Sequence, residues 1–127
     1  MAGKDESRKQ PAYNLAECRK AVAAGRYRLS RAALHFIMDY AANNPFPFSE
    51  ADLQKFIASL SGTDFVKSVK YQNVPRWWDI YKADYEITYT DEYDEIRKEN
   101  IHFYLKFHLM NGGTLAKVEI VSFHEDR

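Results

Sequence analysis

From Ile101 to Leu109, apolar and polar residues alternate without a break. Ile101, Phe103, Leu105, Phe107 and Leu109 fall on one face of an extended chain. His102, Tyr104, Lys106 and His108 fall on the other, because strand side chains alternate with period two. The apolar set predicts a core-facing strand within Arg97–Met110. Two further extended stretches flank it, near Asp79–Thr90 and Leu115–His124. Asn111-Gly112-Gly113 tolerates positive φ and predicts the turn between the last two strands, and Asp91 to Glu95 predicts the other connection.

Upstream, the period becomes helical. Asn14 caps a first helix, Glu17 sits three residues on, and Gly25 closes it. Its buried stripe is Leu15, Cys18, Ala21 and Val22. Arg26 to Leu29 is a short extended piece. Ser30 caps a second helix with Ala33, Leu34, Ile37 and Tyr40 or Ala41 on one side, and His35 beside that face reads as a structural histidine. Pro45 and Pro47 stop it, since each proline removes a donor and restricts its predecessor. Ser49 caps a third helix, with Leu53, Phe56, Ile57 and Leu60 at helical spacing. Gly62 to Lys67 reads as a further helical turn. The charged stretch before Pro11 has no apolar period, so residues 1–12 are expected to be a disordered tail and 13–127 a single domain. Helices first and an antiparallel meander afterwards make an α+β layout, with the N-terminal helices packed on a C-terminal sheet.

Composition sharpens this in a few places. A chain of 127 residues suits one core, and 46% hydrophobic residues with nine Tyr and eight Phe predict a folded one. Eighteen basic and eighteen acidic residues cancel, so net charge points to no nucleic-acid partner. The halves differ, with nine Lys or Arg against six Asp or Glu in residues 1–60 and nine against twelve afterwards. Much of the excess acid lies between Asp84 and Glu99, which reads as a solvated hairpin in preference to a cation site. The lone Cys18 excludes an internal disulfide and a cysteine-built zinc site, and its place on the apolar stripe marks it as core. Without an eighteen-residue apolar run, the chain is expected to be soluble and cytoplasmic, away from membranes.

No glycine-rich phosphate loop, His-Glu-x-x-His helix or paired-cysteine motif occurs, and no serine sits in a strand–turn–helix elbow. His102 and His108 are about 20 Å apart by strand rise and cannot share a metal. Neither metal nor other cofactor is expected. The polar face at 102–108 instead carries two imidazoles, a phenol and an ammonium, which can move protons and hold an anion. An ordinary half-exposed strand shows the same alternation. Trp77 and Trp78 offer stacking surfaces for an unpaired base, one of the two being expected in the core. Arg76 beside them suits a phosphate contact or plain solvation.

Five segments, in order, resemble the motility quorum-sensing regulator (MqsR) toxins, a family of bacterial mRNA interferases. They are Val22-Ala23-Ala24-Gly25 with Ser30-Arg31-Ala32-Ala33-Leu34, Ile57-Ala58-Ser59-Leu60-Ser61 running into Asp64-Phe65-Val66-Lys67-Ser68, Trp77-Trp78-Asp79-Ile80-Tyr81, Tyr104-Leu105-Lys106, and Ile120-Val121-Ser122-Phe123. The resemblance spans roughly Tyr13 to His124. It implies a RelE-like ribonuclease fold, metal-independent cleavage of mRNA, and a cognate antitoxin through which operator DNA is contacted. It carries active-site roles onto Lys67 and Tyr104, and onto His124, where the family pattern has lysine. Trp78 stands where the pattern has glutamine, and the chain has extra residues between Tyr81 and Ile101.

The resulting expectation is a toxin endoribonuclease, monomeric when free, with Lys67, Tyr104 and His124 catalytic and Arg76, Trp78, Lys106 and His102 binding substrate. His108 is a reserve on the same face. Lysines suit phosphate charge and histidine suits proton transfer near neutral pH. Which group is acid and which base stays open. A non-catalytic module that docks an antitoxin and modulates operator binding is the alternative. The assignment also makes a geometric demand. A two-residue Gly112-Gly113 turn would pair Asn111 with Thr114 and send His124 to the apolar face. A three-residue loop with a glycine bulge, or a bulge farther along, is needed to bring His124 beside Tyr104 and both onto one concave patch with Lys67.

Overall fold

The computed structural model describes residues 5–110 and 115–126. Local chemistry sets the helices. The Asn14 side chain accepts the Glu17 N–H at 3.0 Å and starts α1, Leu15–Ala23. The Ser30 hydroxyl accepts the Ala33 N–H at 3.1 Å and starts α2, Arg31–Asn43. Ser49 and Asp52 form a reciprocal cap on α3, Glu50–Ser59, in which the Ser49 N–H reaches the Asp52 carboxylate at 2.9 Å. A single 3-10 turn, Gly62–Asp64, follows.

The strands are β1 (Glu6–Arg8), β2 (Tyr27–Leu29), β3 (Phe65–Lys70), β4 (Trp78–Thr90), β5 (Ile96–Met110) and β6 (Lys117–Glu125). They form one sheet in the order β1-β3-β4-β5-β6-β2, antiparallel throughout except for β2 against β6. The fold is the α+β arrangement read from the sequence, with helices first and the meander after. Two details differ. The segment from Phe65 to Lys67 is strand, not helix. Glu6–Arg8, within the stretch expected to lack structure, pairs with β3. The predicted turn at Asn111-Gly112-Gly113 lies outside the described residues.

All three helices cover one face of the sheet. Phe103, Leu105 and Phe107 of β5 are buried there with Leu53, Phe56 and Ile57 of α3 and Cys18, Ala21 and Val22 of α1. Burial pushes the Cys18 thiol up to about 12, consistent with a core residue and not a nucleophile. In α2 the buried side is Ala33 and Ile37, with Phe36 and Tyr40 packed against them. Leu34 is 42% exposed and His35 is exposed, so the helix is rotated from the orientation expected for both.

Phe103 is the hub of this core. Its ring lies within 4.8–6.2 Å of those of Phe123, Phe48, Phe56, Tyr40 and Phe36. Phe103→Ala should cost about 3–5 kcal/mol, since the cavity would be lined by rings from three elements that cannot collapse together. Chemical denaturation measures this, and a loss below 1 kcal/mol would contradict the assignment.

A buried carboxylate ties the N-terminal segment to the sheet. Asp79 of β4 is fully buried and accepts the backbone N–H groups of Ala12 at 2.9 Å and Tyr13 at 3.1 Å. Burial raises its carboxyl above the usual range, against the opposing pull of the Ala12 and Tyr13 N–H groups and the Ser68 hydroxyl. A raised folded value gives stability that is full below the unfolded value and lost as pH rises through the folded one. The stability of wild type relative to Asp79→Asn should therefore fall across that acidic window and level off above it. Denaturation curves at several pH values check the sign.

Candidate functional site

Directly paired residues share a face, so the register identifies the side chains opposite the helices. Lys67 of β3 opposes Ile80, Lys82 of β4 opposes Tyr104, and Asp84 opposes His102. Tyr104 opposes His124, and Lys106 opposes Ser122. A β-bulge creates this last arrangement. Phe107 pairs with Ile120 while Lys106 pairs with Ser122, which leaves Val121 as the extra residue. The change of parity that His124 requires is thus supplied within β6, between Ile120 and Ser122.

Tyr104 and His124 stack, with ring centroids 4.7 Å apart and planes 9° from parallel. The His124 Nδ1 lies 3.0 Å from the Glu125 carbonyl oxygen. Donation by Nδ1–H leaves Nε2 of the neutral ring as a bare acceptor. Burial raises the Tyr104 phenol above its ordinary value, although Lys106 pulls it down. Tyr104 is therefore a phenol at neutral pH, able to donate a proton but not to serve as a ready base. The Lys82 ammonium lies 5.8 Å from the Tyr104 ring centre and 3.4 Å from Asp126.

Lys67 and Tyr104 line a common cavity of about 350 Å3, with Val69, Ile80 and Tyr71 on its walls and Asp5 to Ser7 at its rim. The Lys106 ammonium donates to the Tyr71 hydroxyl at 2.8 Å. His124 does not line this cavity. It opens onto a second one of about 540 Å3, beside the end of α2. The stacked pair therefore stands between two concave surfaces, with lysines on one side only.

The remaining candidates are placed differently. Trp78 is 8% exposed and packs edge-on against His108 at 4.5 Å, so it has no open face for a base. It is the core member of the tryptophan pair, and the substrate-stacking role expected for it is corrected. Trp77 carries the Arg8 guanidinium 4.5 Å over its ring. His108 is buried, with Nε2 2.8 Å from a Glu119 carboxylate oxygen and 3.2 Å from Arg76. Arg28 also pairs with Glu119. Burial alone would raise the Glu119 carboxyl, but the bonds from Arg28 and His108 hold it below the usual range. Arg76 and His108 thus meet in a network around Glu119, which removes the buried His108 as a reserve while the Arg76 side chain stays 44% exposed. His102 sits between two acids, with Nδ1 2.7 Å from Asp84 and Nε2 3.5 Å from Asp126. Its hydrogen bond lowers the Asp84 carboxyl. Flanking carboxylates make His102 a poor phosphate contact.

Sequence reasoning missed Tyr71 and Lys82. Tyr71 follows a strand that reads as a helix, and Lys82 meets Tyr104 only through the β4–β5 register. It also missed a second apolar cluster on this face, where Val69, Trp78 and Ile80 are buried and the half-buried Val74 and Val121 pack against them. Among the described residues, no group of three or more His, Cys, Asp or Glu side chains is placed to hold a metal ion. None of the described helices is long and apolar enough to cross a membrane. The acids between Asp84 and Glu99 run along the β4–β5 hairpin to its tip, where Asp91 accepts the Tyr93 N–H at 2.8 Å and Arg97 Nε at 2.8 Å.

No curated protein matches the chain. The motifs that pointed to the MqsR toxins are distributed over the same frame that assembles the Lys67, Tyr104 and His124 face, and a family model covers that frame almost entirely. With residues 10–125 matched by the family described as motility quorum-sensing regulator, toxin of MqsA, the chain belongs to the MqsR toxin family, the toxin side of a toxin–antitoxin system whose implied partner is an MqsA-type antitoxin.

Proposed function

We propose that this toxin is a metal-independent endoribonuclease that cleaves mRNA. The observation that carries the reading is the Tyr104–His124 stack beside the lysines of the open sheet face. RNA cleavage of this kind uses the neighbouring 2′-hydroxyl as nucleophile. His124 Nε2 takes its proton while the 2′-oxygen bonds to phosphorus. The bond from phosphorus to the 5′-oxygen breaks, and that oxygen takes the Tyr104 phenolic proton. The products are a 2′,3′-cyclic phosphate and a 5′-hydroxyl. Lys67 and Lys106 balance the charge gathering on the phosphate oxygens. His124 then returns its proton through water to Tyr104. The free toxin acts as a monomer, and its antitoxin both covers it and carries it to operator DNA.

Expression without the antitoxin should arrest growth, and Lys67→Ala at equal abundance should relieve the arrest. Tyr104→Phe keeps the stack and removes the proton donor, and should lower the cleavage rate roughly 10²-fold or more. The alternative, a non-catalytic module that docks an antitoxin and adjusts operator binding, draws support from the acidic β4–β5 hairpin and the zero net charge. Normal growth with abundant, folded wild-type protein would favour that alternative.

A further inference from the structure

The cavity on the far side of the stacked pair has a composition that the cleavage step does not use. It lies where β2 has ended at Leu29, opposite Ile120, and the rest of β6 runs past α2 as an open edge. Phe36 and Tyr40 supply an aromatic wall, their rings 5.1 Å apart and braced on Phe103 at 6.2 and 6.0 Å. Asn43 and Asn44 stand at its rim, each donating one amide hydrogen at 2.8 Å to a carbonyl of the last helical turn, from Asp39 and Tyr40 respectively. That bond fixes each amide and leaves its carbonyl oxygen and second N–H for a ligand. Asp39 and Glu125 add carboxylates, and His124 lines it from the other side of its stack on Tyr104.

This lining is wrong for a phosphate. It has two carboxylates and no lysine or arginine. It suits an uncharged planar group with hydrogen-bond donors on its edge. A volume of about 540 Å3 accommodates one base with its sugar. We infer that the cavity is a nucleobase subsite, which takes the base adjacent to the scissile phosphate and favours bases carrying an amino group. The inference rests on the ribonuclease reading for the identity of its ligand. With the phosphate held on the lysine side of the Tyr104–His124 ridge, a neighbouring base crosses the ridge and enters between the aromatic wall and the amides. Asp39 accepts from an exocyclic amino group, and Asn43 and Asn44 read the remaining edge. Uracil has no amino group to offer. Asp39, Asn43 and Asn44 are then specificity-determining residues, remote from the reacting atoms.

Short RNAs with a 2′-deoxy sugar at the central position cannot be cut by the 2′-hydroxyl route and serve as probes. The full chain, isotope-labelled, is titrated with four trinucleotides that differ in one flanking base. The expected result is that the side-chain amide signals of Asn43 and Asn44 shift, and that adenine, cytosine or guanine binds more tightly than uracil. Asn43→Ala and Asp39→Ala should weaken the preferred trinucleotide roughly 10-fold and leave the uracil one little changed. In cleavage of ordinary RNA the same variants should flatten base preference at that position while Lys67→Ala slows all sequences alike. Shifts confined to the Lys67, Tyr71 and Lys106 side, with equal affinity for all four bases, would overturn the subsite and leave the nuclease standing. Tight, base-selective binding at Asn43 by a protein that cuts no RNA would keep the subsite and remove the nuclease. Absence of binding anywhere would overturn both.

Discussion

Replacing Lys67 by alanine should lower the rate of RNA cleavage about 10²-fold or more, the order found when one preorganised donor to a developing oxyanion is removed. Lys67 projects from β3 into the cavity it shares with Tyr104, and its neighbours there are Val69 and Ile80 of the small outer cluster. The side chain is itself exposed, so truncation should leave the fold intact. The loss should appear in kcat, since the charge it meets forms only in the transition state. Single-turnover cleavage of a short RNA by wild type and Lys67→Ala, with denaturation curves matched, decides it. Rates within a few-fold of each other at equal stability would reject the role.

His124→Ala should cost about 10²- to 10⁴-fold, the range for removal of a positioned general base. The ring is exposed and stacks on Tyr104, so its loss opens no core cavity. Two details separate this from a merely structural effect. Only Nε2 is open, because Nδ1 faces the Glu125 carbonyl oxygen at 3.0 Å. An analogue with a better leaving group lightens the acid's task but not the base's, and so should rescue Tyr104→Phe and fail to rescue His124→Ala. If both variants respond alike, the two roles have been assigned wrongly. Because the two side chains touch, the double variant should lose less than the product of the single losses.

Much of the frame was legible because it is written in short-range chemistry. Asn14, Ser30 and Ser49 announced three helices, and their caps are formed as expected. The alternation at Ile101–Leu109 announced β5, since a sheet with one covered face demands it. What escaped depends on tertiary contact. β3 hides its period behind an irregularity between Phe65 and Lys67, and its Val69 faces the outer cluster while Ser68 is buried beneath the helices. β1 is three exposed residues held by pairing with β3, with no apolar signal to find. Trp78 and His108 looked like solvent-facing chemistry because the face they share reads as polar on β5. The apolar cluster of Val69, Trp78 and Ile80 beside them is assembled from β3, β4 and the connection at Val74. The need for a bulge followed from the parity of Tyr104 and His124, but its seat at Val121 did not. The second cavity was invisible, because α2 meets the end of β6 only where β2 stops.

The most direct measurement is cleavage of single-stranded RNA by the purified toxin in excess chelator. The stack, the lysines and the 2′-hydroxyl are sufficient for the chemistry proposed here. Cutting should therefore persist at an undiminished rate and leave 2′,3′-cyclic phosphate ends, or the monophosphates derived from them, opposite 5′-hydroxyls. Complete loss of cutting on chelation, restored by magnesium and giving 5′-phosphate ends, would contradict the account.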